Sequence, residues 1–270
     1  MTERVASGQQ AAAAAGKVLV AGDAPLAEEL AELVAKSGRP VSLYLLEGGG
    51  VGPAGTERAA DLASGAKDAT LALEVVVWPF ERKRALIEAL DRDLPADAVI
   101  ATLAAAQSTT EIATWTTRPA QVVGFGALPG SAGGLIEVAP ALQSDEAATA
   151  SVEALFIAME REVARVRDDA GLVLARILCL IVNEAAAMLM EGAASARDID
   201  TAMKLGTNYP HGPLEWADLM GIDFVHATLV GLRAEQGEDR YRACPLLRKM
   251  VLAGRLGRKT GRGFFEYAER

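Results

Sequence analysis

Cysteine is scarce in this chain: it occurs 2 times in 270 residues, at Cys179 and Cys244, with no metal-type spacing. Each sits in an apolar helical context, so the pair reads as reduced, buried thiols rather than a disulfide framework or ligand set. A basic excess is missing too. The formal net charge is -9 and the pI is near 4.9, which argues against nucleic acid and anionic membrane as partners, since both require a basic footprint. Histidine is limited to His211 and His226, so general bases are few. Residues 1–16 are a polar start followed by an alanine run, with no basic n-region and an apolar stretch too short for a signal or a membrane span. That segment is expected to be a flexible tail, and the protein cytoplasmic. The glycine-rich stretch GFGALPGSAGG lacks the Lys-Ser/Thr ending of a phosphate loop and reads as an irregular connection.

What is present is ample core, with 51% hydrophobic residues and unremarkable glycine and proline content. From Lys17 onward, strand and helix patterns alternate. Lys17–Gly22 is a short apolar run ending in glycine, and the following PLAEELAELVAKSG places Leu26, Leu30, Leu33 and Val34 on one helical face. Asp23 is the expected N-cap, Pro25 suits the first turn, and Gly38 ends the helix. Val41–Leu46 then gives a β-α-β unit with a right-handed crossover. Further strands are expected over Leu71–Val77, Ala98–Thr102, Gln121–Phe125 and Leu135–Val138, with helices over Phe80–Arg92 and from Ser108. Together they imply a doubly wound, Rossmann-like α/β sheet over 17–166. After Arg167 the strand signal stops. Helices are expected over Gly171–Glu191, Ser195–Leu205, Leu214–Met220 and Asp223–Gln236, making 167–270 an all-α domain. The helix from Gly171 is interrupted by Arg176, Asn183 and Glu184, so it reads as packed against a neighbour or a second subunit rather than as a membrane span.

The run from Ala194, ASARDIDTAMKLGTNYPHGPLEWADLMGID, followed by YRACPLLRKMVLAGRLGRKTGRGFFEY, resembles the C-terminal domain of the 3-hydroxyacyl-CoA dehydrogenases. The resemblance implies NAD as cofactor, an acyl-CoA substrate of fatty acid metabolism, and dimerisation through the helical domain, as a homodimer or as a heterodimer with a paralogue. It also implies a site to look for. The family's GxGxxG aligns with Gly22-Asp23-Ala24-Pro25-Leu26-Ala27, where only Gly22 survives. Ala24 adds a methyl where the pyrophosphate must approach, Pro25 removes an N–H, and Asp23 adds negative charge. The acid that holds the ribose corresponds to Leu45; Glu47 could substitute only with a displaced strand end. Glu74 matches a family glutamate near the nicotinamide, either capping a retained pocket or left over.

The catalytic positions depart in the same direction. In the family a histidine takes the hydroxyl proton as hydride leaves, and a glutamate orients the imidazole. The histidine position is Gly126, while the glutamate matches Glu137. The serine and asparagine that bond the substrate oxygen correspond to alanines in Leu103–Ala106 and Leu174–Arg176, at Ala105 and Ala175. The helical hairpin that helps hold CoA is replaced by EGGGVGPAGTERAADLASGAKDAT, with room for one short helix. Acyl-CoA binding is therefore expected to be weak and NAD binding impaired. His211 and His226 read as structural or surface residues, and the loop Arg255–Arg262 as part of the family's structural signature. The expected protein is a family homologue with degraded cofactor and catalytic motifs, a pseudoenzyme kept for binding or scaffolding or a re-purposed protein. Two readings stand beside it: an active NAD-dependent dehydrogenase of 3-hydroxyacyl-CoA or a small 3-hydroxy acid through substituted residues, and cofactor-free chemistry with Glu137 as base.

Overall fold

The computed structural model describes residues 16–47, 52–130 and 134–268, and the chain divides into two compact units, passing from the first to the second between Asp169 and Ala170. Of the expected tail at 1–16, residues 1–15 lie outside the described residues. The first unit is one eight-stranded sheet: β1 Lys17–Gly22, β2 Val41–Leu45, β3 Glu57–Arg58, β4 Ala69–Val75, β5 Val99–Leu103, β6 Val122–Gly126, β7 Leu135–Pro140 and β8 Glu162–Arg165. Its order is β3-β2-β1-β4-β5-β6-β7-β8, parallel throughout except for the antiparallel pair β6–β7. The doubly wound, Rossmann-like class read from the sequence is thus the observed one. Val18, Leu19, Val20 and Ala21 are all buried, as befits a central strand covered on both faces.

The helices of this unit are α1 Leu26–Lys36, α2 Leu62–Ala66, α3 Phe80–Asp93, α4 Thr109–Ala113 and α5 Glu146–Ala158. Helix α1 buries Leu26, Leu30 and Val34 with Ala27 and Ala31, the amphipathic face its spacing predicts. Its N-cap is Pro25, which makes no side-chain cap bond. Asp23, expected as the cap, instead sends its carboxylate to Arg82. Strand β4 stops at Val75, two residues before the expected end, because the Val76 N–H donates to the Glu74 side chain at 2.7 Å. Helix α5 and strand β8 were not legible in the sequence. The buried face of α5 includes Ala148, Thr149 and Val152, which offers little hydropathic contrast, and β8 is a four-residue edge strand with charged ends.

The second unit gathers α6 Leu174–Met190, α7 Ala196–Thr207, α8 Pro213–Met220, α9 Ile222–Gln236 and α10 Pro245–Leu252, together with the segment Ala105–Gln107. Helix α6 starts later than its apolar run because Gly171 and Leu172 have left-handed φ of 74° and 46°. Ser195 caps α7 as expected, accepting from Asp198 N–H at 3.2 Å. Two buried aspartates organise the remainder. Asp200 accepts from the N–H groups of Leu214 and Glu215, both at 2.9 Å, and so caps α8 from a neighbouring helix. Asp218 accepts from Phe264 N–H, Phe265 N–H and the Tyr267 hydroxyl at 2.8, 2.9 and 3.0 Å. A Cβ on Gly263 would stand 1.9 Å from the Asp218 carboxylate, so the RGFFEY ending requires glycine there. Cys179 and Cys244 are both buried and free, and burial pushes the Cys179 thiol up to about 12. No helix among the described residues is long and apolar enough to cross a membrane.

Candidate functional site

The strand order reverses at β1, with β2 and β3 on one side and β4 to β6 on the other. In open α/β sheets the carboxyl ends of strands at such a reversal are where ligands bind. Gly22 ends β1 opposite Val75 of β4, with φ of 152°, and a Cβ there would lie 2.2 Å from the Val75 carbonyl oxygen. Sheet packing alone therefore demands this glycine. Asp23 N–H donates to the same carbonyl at 2.9 Å, and the Asp23 carbonyl accepts from Ala27 N–H at 3.1 Å, fixing the loop into α1. The Asp23 carboxylate takes a hydrogen bond from Arg82 of α3 at 2.7 Å, while the other arm of the same guanidinium donates to Glu47 at 2.9 Å. Strand β2 pairs to its last residue, Leu45 opposite Gly22, and the Glu47 carboxylate two residues on meets Arg82.

Glu74 lies one residue from the end of β4 and is fully buried. Its carboxylate accepts from Lys83 Nζ at 2.5 Å, Thr102 Oγ1 at 2.7 Å and Val76 N–H. Lys83, equally buried, also donates to the carbonyls of Val76 and Leu103 at 2.9 and 3.0 Å. Desolvation holds the lysine below its ordinary range, with the Glu74 charge opposing that effect. The basic partner that Glu74 lacks in its own strand thus comes from α3. The sequence carried the signal: Lys83 shares the helical face of Leu86, Ile87 and Leu90, an anomalous place for a cation unless it is paired.

Gly126 ends β6 directly opposite Glu137 of β7, and Glu137 is buried. Ala105 and Ala175, both buried, belong to the second unit. Neither alanine carries a hydrogen-bonding side chain. His211 Nδ1 lies 3.2 Å from Glu215 beside Trp216. His226 is half-buried on α9, where desolvation and then Arg248 lower its pKa. Three of the four cations of the C-terminal loop meet acids: Arg258 with Glu215, Lys259 with Asp223 and Arg262 with Glu266, at 3.4, 2.5 and 3.3 Å. The first unit thus brings Gly22, Asp23, Glu47 and Arg82 together at one strand end, and Gly126 with Glu137 at another pair. Arg82 and Lys83 were missed from the sequence although they are adjacent in FERKRAL.

Comparison with known proteins is consistent across both units. Residues 171–267 match the family model of the 3-hydroxyacyl-CoA dehydrogenase C-terminal domain, and residues 54–169 match that of the 3-hydroxyacyl-CoA dehydrogenase NAD binding domain. The second match begins after the segment that holds Gly22, Asp23 and Glu47. A probable 3-hydroxybutyryl-CoA dehydrogenase of Bacillus subtilis is 37% identical over 206 residues, covering 76% of this chain and 72% of the relative. A 3-hydroxybutyryl-CoA dehydrogenase of Clostridioides difficile is 38% identical over 204 residues, covering 74% and 72%. Among solved structures, FadB2 of M. tuberculosis superposes with a TM-score of 0.78 at 28% identity over 93% of this chain and 98% of that one. The (S)-3-hydroxybutyryl-CoA dehydrogenase of Ralstonia eutropha gives 0.74 at 26% identity over 94% and 99%. Two consecutive domain matches, with relatives 37% and 38% identical that are covered over 72% of their length, leave one conclusion: this chain belongs to the 3-hydroxyacyl-CoA dehydrogenase family.

Proposed function

We propose that the chain keeps the substrate class of its relatives, a short 3-hydroxyacyl- or 3-oxoacyl-CoA, without the histidine-driven hydride transfer of the family. The observation that carries this is Gly126 opposite Glu137: the carboxylate that would orient an imidazole is in place, and the residue paired with it across the strands, at the position the family's histidine holds, is a glycine. Losing a general base removes about 10²–10⁴-fold in rate. Ala105 and Ala175 then leave the substrate oxygen without the two hydrogen bonds that would position it. A dinucleotide also fits the residues present poorly. Pro25 offers no N–H to a phosphate, Asp23 brings a carboxylate to the same loop, and Leu45 has no acceptor for ribose hydroxyls. Such a protein binds an acyl-CoA or a partner chain and does not turn it over by the family route.

The second reading is an active NAD-dependent 3-hydroxybutyryl-CoA dehydrogenase. It is carried by the relatives, whose names describe that activity, and by the match to an NAD binding domain. On the comparisons alone this reading has the better support, since none of them speaks for lost activity. It requires other groups to do the work of the missing histidine, serine and asparagine. In either case self-association through α6 belongs to the proposal, because that helix exposes Val173, Ile177 and Met188 along one side of its length.

Purified protein should be titrated with acetoacetyl-CoA and assayed for NADH oxidation with it. Saturable acetoacetyl-CoA binding without turnover supports the first reading. Turnover in the ordinary enzymatic range, of order 1–10³ per second, establishes the second.

A further inference from the structure

We propose that Asp23, Arg82 and Glu47 form an internal charge plug at the carboxyl end of β1, in which the chain's own carboxylates occupy the guanidinium that a ligand phosphate would otherwise take. The proposal rests on the reading of poor dinucleotide fit above and deepens it, and it does not depend on the missing histidine. The geometry is specific. Arg82 Nη2 meets Asp23 Oδ1 at 2.7 Å and Nη1 meets Glu47 Oε1 at 2.9 Å, so each terminal nitrogen of the planar fork donates to one of the chain's own carboxylates. Anion recognition by arginine uses that same fork.

The two carboxylates are not equivalent. The side chains of Arg82 and Asp23 are 26% and 33% exposed, which limits screening of their pair, whereas Glu47 is 82% exposed. Asp23 is therefore the principal stopper and Glu47 a solvent-facing latch. The backbone of Asp23 is held in place, its N–H bonded to Val75 and its carbonyl to Ala27, so the carboxylate reaches Arg82 from a fixed main-chain position. Charge bookkeeping points the same way, since two carboxylates and one guanidinium leave a net negative charge. The first turn of α1 adds Glu28 and Glu29. A helix N-terminus that normally favours anions here carries acidic side chains of its own. A pyrophosphate arriving at this strand end has to displace Asp23 from Arg82 and approach acidic side chains.

The test uses the full chain and isothermal titration with ADP and with NADH, comparing wild type, D23N/E47Q and D23N/E47Q/R82Q. Single D23N serves as a milder variant, and thermal melts check folding. The plug predicts no saturable ADP or NADH binding by wild type at millimolar ligand. It predicts at least ten-fold tighter binding by D23N/E47Q and by D23N, weakened by salt, and loss of the gain when Arg82 is also replaced. Micromolar NADH binding by wild type, or no gain in either folded variant, overturns it. Wild type that binds NADH yet does not oxidise it with acetoacetyl-CoA overturns the plug alone. Turnover of acetoacetyl-CoA overturns the functional reading as well.

Discussion

Gly126 and Glu137 face each other across the antiparallel β6–β7 pair, with the glycine at the last residue of its strand and the carboxylate buried. Restoring an imidazole there is the most direct probe of the proposed loss of chemistry. Gly126→His alone is expected to give no measurable NADH oxidation with acetoacetyl-CoA, because Ala105 and Ala175 still supply no hydrogen bonds and the β1 loop is unchanged. Steady-state assays of this variant beside wild type check it, and geometry should fail before pKa does. A rate rising by a factor of about 10² or more would show that the remaining groups were already arranged for catalysis.

The buried Lys83–Glu74 pair should behave as a unit. Lys83→Met leaves a carboxylate with two remaining hydrogen-bond donors and no counter-charge, and should destabilise the fold by about 3–5 kcal/mol. Replacing both residues, Lys83→Met with Glu74→Gln, should recover part of that loss. Urea unfolding of the two singles and the double gives the coupling; additive losses would contradict a coupled pair.

Asp91 supplies a pH-dependent contribution. Burial pushes its carboxyl up, but the Thr117 N–H and the Arg118 guanidinium outweigh that and hold it below the usual range. A folded-state pKa below the unfolded one means the contribution is present above the unfolded value, about 3.9, and disappears as pH falls through the folded one. Asp91→Asn should lower stability by about 1–3 kcal/mol at neutral pH, with the difference from wild type shrinking in acid. Unfolding free energies at several pH values check it.

Asp218 holds the C-terminal segment through two backbone N–H groups and the Tyr267 hydroxyl. Asp218→Asn sets an amide donor against other donors, and a buried unsatisfied group costs about 1–3 kcal/mol. The expected result is a lower Tm and faster proteolysis after Gly263, read by thermal melts and limited digestion.

Self-association is tested on α6, where Ile177 is 52% exposed between Val173 and Met188 on the same side. Ile177→Glu should convert a dimer to monomer at micromolar concentration in analytical ultracentrifugation, since it places a charge in an apolar interface. A wild-type chain that is already monomeric there would contradict the proposal.

The sequence by itself determined the α/β class, the parallel strands β1, β2, β4, β5 and β6, and the helical second half, because alternating apolar runs and amphipathic spacing are local properties. It also determined the side chains at the positions the resemblance singles out: a methyl at Ala105 and at Ala175 and no side chain at Gly126 are facts of the sequence. The C-terminal signature was legible as a family mark, while its cause, two buried aspartates receiving backbone N–H groups from distant segments, was not. Tertiary structure alone decided where the charges go. Asp23 read as a helix cap because a cap is a local interaction; its real partner is 59 residues away, as is the case for the Asp168 carboxylate that receives the Thr109 N–H. Glu74 read as either capping a retained pocket or left over, because its cation sits on the next helix. An ion pair across elements has no periodicity to betray it, and only the packing of α3 on the sheet sets which carboxylates Arg82 and Lys83 can reach.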